Sequence, residues 1–227
     1  MSKIKILSTC STQSTIQINI NNEQTKHVPA FKYLDSIFLS NGQTKDEVKL
    51  RIDNARIAFL QLHNAFWGHN EISLRIKVRV FRVAIRPILT YGCEARPLRF
   101  EDIRRLEVFD HWCLRRVLKV GWHNKLSNDT IRQRCFEIEK LSVFLQRQQL
   151  RWFGHILRYP TTEISKQCLS PVPSPGWRCR PGGQLKTWAS TVKSNIQRLG
   201  LQFVYDVRKW KYNWISLFSG LASDCRL

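Results

Sequence analysis

The sequence predicts an α+β fold that is mostly α-helical, and three observations predict it. Short β-branched and aromatic runs crowd the segment 1–40. Beyond it, apolar residues recur at three- and four-residue spacing through most of the chain. Proline and glycine fall between the periodic stretches and concentrate in SPVPSPGWRCRPGG, residues 170–183. The organisation expected is a β-rich segment over 1–40, a helical thumb-like domain over 41–169, a basic Pro- and Gly-rich linker over 170–183 and a helical extension over 184–227.

Taken in order, 4–7, 15–20 with its alternating Ile16, Ile18 and Ile20, and the run 27–38 read as strands of a small antiparallel region, with turn chemistry at Asn21 and Asn22. Asn41 and Gly42 end that pattern, and Thr44 precedes a first turn holding Asp46 and Glu47. Val48, Ile52, Ala55, Phe59, Leu62 and Phe66 then follow at helical spacing until Gly68, which is placed to stop the helix. A second helix starts near Ser73, with Leu74, Val78, Phe81 and Ile85 on one face. Arg75, Arg79, Arg82 and Arg86 form a basic ridge on another. Pro87 lacks an amide donor and disfavours the helical conformation at Arg86, so a kink or an end is expected there.

A third helix, 101–120, places Ile103, Leu106, Phe109, Cys113 and Val117 inward, with Arg104, Arg105, Arg115, Arg116 and Lys119 off that face. Ser127 with Thr130 opens a shorter helix through Phe136. The stretch 140–159, KLSVFLQRQQLRWFGHILRY, carries the clearest pattern. Leu141, Phe144, Leu145, Trp152 and Ile156 make one apolar stripe, and Val143, Leu150, Phe153 and Leu157 a second. Between them runs a basic one of Lys140, Arg147, Arg151, His155 and Arg158. After the linker, Leu185, Trp188, Val192, Ile196 and Leu199 predict an amphipathic helix stopped by Gly200, and a last helix spans 203–218.

Composition narrows the partner. The 227 residues are 43% hydrophobic, with eight Trp and twelve Phe, so the chain has the apolar material for a core. Lys and Arg number 37 against 17 acidic residues, a formal charge of +20. Such an excess repels itself unless a polyanion neutralises it, and nucleic acid held through its phosphates is the commonest such partner. Basic residues interrupt every apolar run before the roughly 20 residues that span a bilayer, so no membrane partner is expected. No signal peptide is visible at the start, and seven Cys without a regular framework fit free thiols, so an intracellular location, nuclear or cytoplasmic, is expected.

Catalytic motifs are absent. The sequence has no phosphate-binding loop, no H-E-x-x-H, no G-x-S-x-G, no C-x-x-C and no adjacent Asp pair. Asp46 with Glu47, and Glu101 with Asp102, stand at helix starts and read as dipole and ion-pair residues. Cys113, His123, Cys135 and His155 are too irregularly spaced for a zinc site, so no catalytic residue, metal or cofactor is assigned. Several tryptophans fall at helix-core spacing, so core is their default place. Trp177, between basic residues in the linker, is the one expected to be exposed, and with Arg178 and Arg180 it joins the candidate nucleic-acid contacts.

Seven pieces in order, SKIKILS, FKYLDSIF, RIDNARIAFLQLHNAFW, IRPILTYGCEA, LEVFDHWCLRRVL, LQRQQLRWFGHILRYP and GGQLKTW, are similar to the C-terminal part of reverse transcriptases from RTE-like non-LTR retrotransposons, the endonuclease-reverse transcriptases. The resemblance runs from Lys3 to Trp188. It implies a thumb and tail of an RNA-directed DNA polymerase. In that family the palm's Asp-Asp motif, which holds Mg2+, precedes the segment similar to SKIKILS. Here Met1 stands almost at that segment, so the palm, its metal ligands and any endonuclease are expected to be absent from this polypeptide. The family's Tyr-Leu-Gly-Ser appears as Tyr33, Leu34, Asp35 and Ser36, with Asp35 where Gly is usual. Tyr91, Gly92, Cys93 and Glu94 match, whereas Ala95 and Arg96 replace a small hydroxyl residue and a Trp. These departures fit a decayed copy.

The function expected is therefore to grip RNA or DNA, through Arg75, Arg79, Arg82, Arg86, Lys140, Arg147, Arg151, Arg158, Trp177, Arg178 and Arg180. The alternative is a non-functional translated relic with an inherited basic surface.

Overall fold

In the computed structural model the described residues are 5–7, 18–20, 23–33, 36–39, 45–169, 187–200, 218, 220 and 222. The fold is mostly helical, with a small β region at the N-terminal end followed by helices.

The β residues pair as three two-stranded sheets. β2 (Asn19–Ile20) and β3 (Glu23–Gln24) are antiparallel. β5 (Ala30–Tyr33) and β6 (Ser36–Leu39) are antiparallel too, with Phe31 opposite Phe38 and Tyr33 opposite Ser36. The run 27–38, expected as one strand, is thus split into a hairpin arm and its return. Leu34 and Asp35, with the expectation attached to Asp35, lie outside the described residues. One pairing departs from the antiparallel expectation: β1 (Lys5–Ile6) runs parallel to β4 (Lys26–His27). The antiparallel β2–β3 pair lies between them along the chain.

α1 (Lys45–Leu62) continues into a wider π-helical turn, His63–Trp67, and ends where the Gly68 amide donates to the His63 carbonyl at 2.9 Å. Val48, Ala55 and Phe59 are buried along it, as the spacing predicts, but in the π turn Trp67, not the predicted Phe66, is the fully buried residue. Trp67 stacks on Phe59 with ring centres 4.9 Å apart, and its indole N–H donates to the Phe59 carbonyl at 2.8 Å. Two lysines take up carbonyls at this helix end. Lys77 Nζ donates to Trp67 at 3.1 Å and to His69, and Lys119 Nζ donates to Gly68 at 3.0 Å. Burial, then the neighbouring Lys119 charge, lowers the Lys77 pKa.

Helical structure next runs over 74–90 without a break: α2 (Leu74–Val80), a π turn (Phe81–Ile85) and α3 (Arg86–Thr90). Of the kink or end expected at Pro87, the end does not occur, since helix continues through Arg86 to Thr90. The π turn accommodates the proline. Arg86 N–H donates to the carbonyl of Phe81, five residues back, which moves aside the carbonyls that a proline ring would strike or leave unpaired.

α4 (Phe100–Val117) buries Leu106, Phe109, Cys113 and Val117 on the predicted face. Ser127 caps α5 (Asn128–Arg134), its hydroxyl accepting from the Thr130 amide at 3.1 Å. α6 (Leu141–Arg158), the short α7 (Ile164–Gln167) and α8 (Trp188–Arg198) complete the described helices. One core cluster joins α1 through α5 with Leu141 and Leu145 of α6. A second forms where Phe153 and Leu157 of α6 meet Val192 and Ile196 of α8 and Phe218.

Candidate nucleic-acid interface

α6 is positioned by its apolar side. Leu141, Leu145, Phe153, Ile156 and Leu157 are buried, so the helix cannot roll without exposing them. That orientation turns Arg147, Arg151, His155 and Arg158 outward, all exposed. Arg147, Arg151 and Arg158 then line one open groove of about 560 Å3, with Val143 and Leu150 of α6 and Leu199 from the end of α8 as its apolar parts. Arg151 and Arg158 make no ion pair among the described residues. Arg147 has one, Nη2 to Glu139 Oε2 at 2.7 Å, and its guanidinium lies over the Phe144 ring.

Two members of the predicted basic stripe do not join the groove. Lys140, just before α6, is 3.9 Å from Glu107 and lines a separate cleft beside α4. His155 is exposed, and its Nε2 is 2.8 Å from the Tyr159 hydroxyl.

The ridge predicted on the second helix divides. Arg75, Arg79 and Arg82 are exposed. Two of them engage Phe136: Arg75 lies 5.5 Å over its ring, and Arg82 Nη2 donates to its carbonyl at 3.3 Å. Arg86, expected on the same ridge, is instead 6% exposed and bonded to Asp110, because the wider π turn retards the helical phase and carries it to the buried side. Trp177, Arg178 and Arg180 lie outside the described residues.

Sequence reading missed the residues that set the far wall of the α6 groove. Gln149 is 3% exposed, and its amide donates to the carbonyls of Cys93 and Arg96, each at 3.2 Å. Its Oε1 accepts from Asn195 Nδ2 at 2.7 Å, and Trp188 Nε1 donates to the Glu94 carbonyl at 2.7 Å. These bonds seat α8 against α6 and so place Leu199. The signal was present in the sequence, since Gln149 interrupts the four-residue spacing of Leu145 and Phe153.

The acidic and thiol groups do other work. Glu47 is bonded to Arg96, and Asp102 Oδ2 accepts from the Arg99 amide at 3.1 Å, capping α4. His111 donates through Nδ1 to the Glu107 carbonyl at 2.8 Å and accepts from Arg132 at Nε2 at 3.0 Å, which assigns the neutral tautomer with the proton on Nδ1. Burial, then the Glu94 charge, pushes the Cys93 thiol up to about 12. Burial, then Asp110, pushes Cys135 up to about 11 and Cys113 higher still. Among the described residues no three His, Cys, Asp or Glu side chains gather as a metal site would need, and no helix is long and apolar enough to cross a membrane. Comparison with family models, with curated proteins and with solved structures finds no match to this chain.

Proposed function

We propose that this chain is a nucleic-acid-binding thumb and tail of a reverse transcriptase like those of RTE-like non-LTR retrotransposons, which grips RNA or DNA rather than copying or cutting it. The observation that carries the reading is the set of Arg147, Arg151 and Arg158 along one open groove of a helix whose other face is core. From the first to the last, the three span about 16 Å of helix axis at 1.5 Å per residue. Phosphates recur about every 3.4 Å of duplex axis on one strand, so several successive phosphates fall within reach of the guanidinium forks. Such contacts hold the backbone and do not read bases.

Arg96, one of the departures from the resembled family, supports an intact fold rather than a decayed one. It is 5% exposed, paired with Glu47, and donates to the Tyr91 carbonyl at 3.0 Å.

The test is fluorescence anisotropy on duplex and single-stranded probes over a range of salt, after circular dichroism shows the helices intact. Replacing Arg147, Arg151 and Arg158 by Ala is expected to weaken binding to every sequence and to flatten the slope of log K against log salt by roughly 2 to 3. Replacing Arg75, Arg79 and Arg82 is expected to change it less, because Phe136 already engages two of them. A larger change from the second triple would move the grip to α2. No effect from either would favour an inherited charge without a site.

A further inference from the structure

A second groove, of about 770 Å3, runs between α1 and α4. Ile52, Val108 and Trp112 are among its apolar lining residues, and Arg56, Arg104 and Arg105 its basic ones. The α4 residues at 101, 104, 105, 108 and 112 lie at three- and four-residue spacing, so they form one stripe that follows the helix for about 16 Å. Two features make the stripe unlike an ordinary solvated face. Val108 is 64% exposed, an apolar side chain open to water in the middle of the groove. Arg104 and Arg105 are exposed and form no ion pair among the described residues, and Glu101 is the only acid among the lining residues.

The chemistry of the walls selects the occupant. Phosphates would meet the arginines but leave Ile52 and Val108 uncovered. A stacked nucleobase needs a free aromatic face, whereas Trp112 has Arg116 over its ring at 4.3 Å and Phe109 stacked at 5.6 Å and 22°. A second copy of this chain brings a formal charge of +20 to a basic lining and is repelled. What remains complementary is a helix with apolar side chains for Ile52 and Val108 and carboxylates for the arginines, lying between α1 and α4. We infer that the α1–α4 groove docks an acidic amphipathic helix of a partner protein, a site separate from the α6 groove and independent of what binds there.

The test selects binders from a displayed library of helical peptides against the full chain, then measures the enriched peptides individually. Expected are sequences with apolar residues at three- and four-residue spacing flanked by Asp and Glu. Their affinity for the Val108→Asn variant should fall roughly tenfold, the worth of burying one valine side chain. Val108 is exposed, so the fold should survive the change, and circular dichroism checks it. In the variant carrying Arg104→Glu and Arg105→Glu, the same selection should turn to Lys- and Arg-rich peptides. No enrichment, enrichment without the acidic and apolar pattern, or affinity unchanged in Val108→Asn would each overturn the inference. A labelled single-stranded oligonucleotide that loses as much affinity as the peptides in Val108→Asn would also overturn it and assign the groove to nucleic acid.

Discussion

Arg86 and Asp110 meet inside the helical core as a two-point pair, with Nε donating to Oδ1 at 2.9 Å and Nη2 to Oδ2 at 3.1 Å. The same Nη2 donates to the Glu139 carbonyl at 2.6 Å, so one side chain ties α3 to α4 and to the residues leading into α6. Asp110 is wholly buried. Arg86→Ala would strand that carboxylate without its partner, at an expected cost of about 3–5 kcal/mol. Arg79→Ala, on the exposed side of the same helical stretch, should stay within about 0.5 kcal/mol. Urea denaturation compares them, and equal midpoints would show that the pair contributes little. The double variant Arg86→Met with Asp110→Leu should recover much of the loss, since it removes both charges together.

Gln149 joins α6 both to the 93–96 segment, through the Cys93 and Arg96 carbonyls, and to α8, through Asn195. Gln149→Leu keeps the volume but leaves the Cys93 and Arg96 carbonyls and the Asn195 amide without their partner. The expected destabilisation is about 1–3 kcal/mol. Trp188→Phe removes a single bond, to the Glu94 carbonyl, and should cost about 0.5–1.5 kcal/mol, the net value of one hydrogen bond. Equilibrium unfolding of the two variants ranks them. A Gln149→Leu protein as stable as the parent would mean that packing alone holds α8 in place.

The thiols make a prediction about pH. Cys93, Cys113 and Cys135 are buried with pKa values raised from the ordinary 9.0, whereas Cys168 is exposed. A raised value means that the folded state keeps protons that the unfolded state gives up. This contribution to stability is fully present below about pH 9 and is lost as pH climbs towards the folded values. Cys113→Ala should therefore flatten the alkaline decline in unfolding free energy, whatever its effect at neutral pH. At pH 8, alkylation mapped by mass spectrometry should label Cys168 well before the three buried thiols. Equal labelling in the native protein would contradict their burial.

The helices were legible in the sequence because each buries a stripe whose spacing is set by the helix itself. Val48, Ala55 and Phe59, then Leu106, Phe109, Cys113 and Val117, then Leu141, Leu145, Phe153, Ile156 and Leu157 occupy the buried faces that periodicity assigned them, whereas Val143, assigned to the second stripe of α6, is exposed. Caps and stops were equally local: Ser127 accepts from Thr130, and Gly68 closes the turn after α1. The outward direction of Arg147, Arg151 and Arg158 followed from the same stripes, since whatever lies opposite buried leucines faces water. The β residues were harder to read. Composition marks a strand, but pairing direction depends on the path of the chain between the partners, and the parallel contact of Lys5–Ile6 with Lys26–His27 is not written in either segment.

By itself, then, the sequence determined the helical class, the inward faces and the basic ridge of α6, all of which depend on residues within a few turns of one another. Only the tertiary structure decided the fate of Arg86, because a π turn before Pro87 shifts its phase and Asp110, 24 residues away, receives it. Tertiary structure also decided the role of Gln149, whose partners lie 46 to 56 residues off, and the grooves themselves. A groove belongs to two helices at once. Spacing along one helix specifies a face, and the wall that turns a face into a site comes from wherever the core brings the next helix to rest.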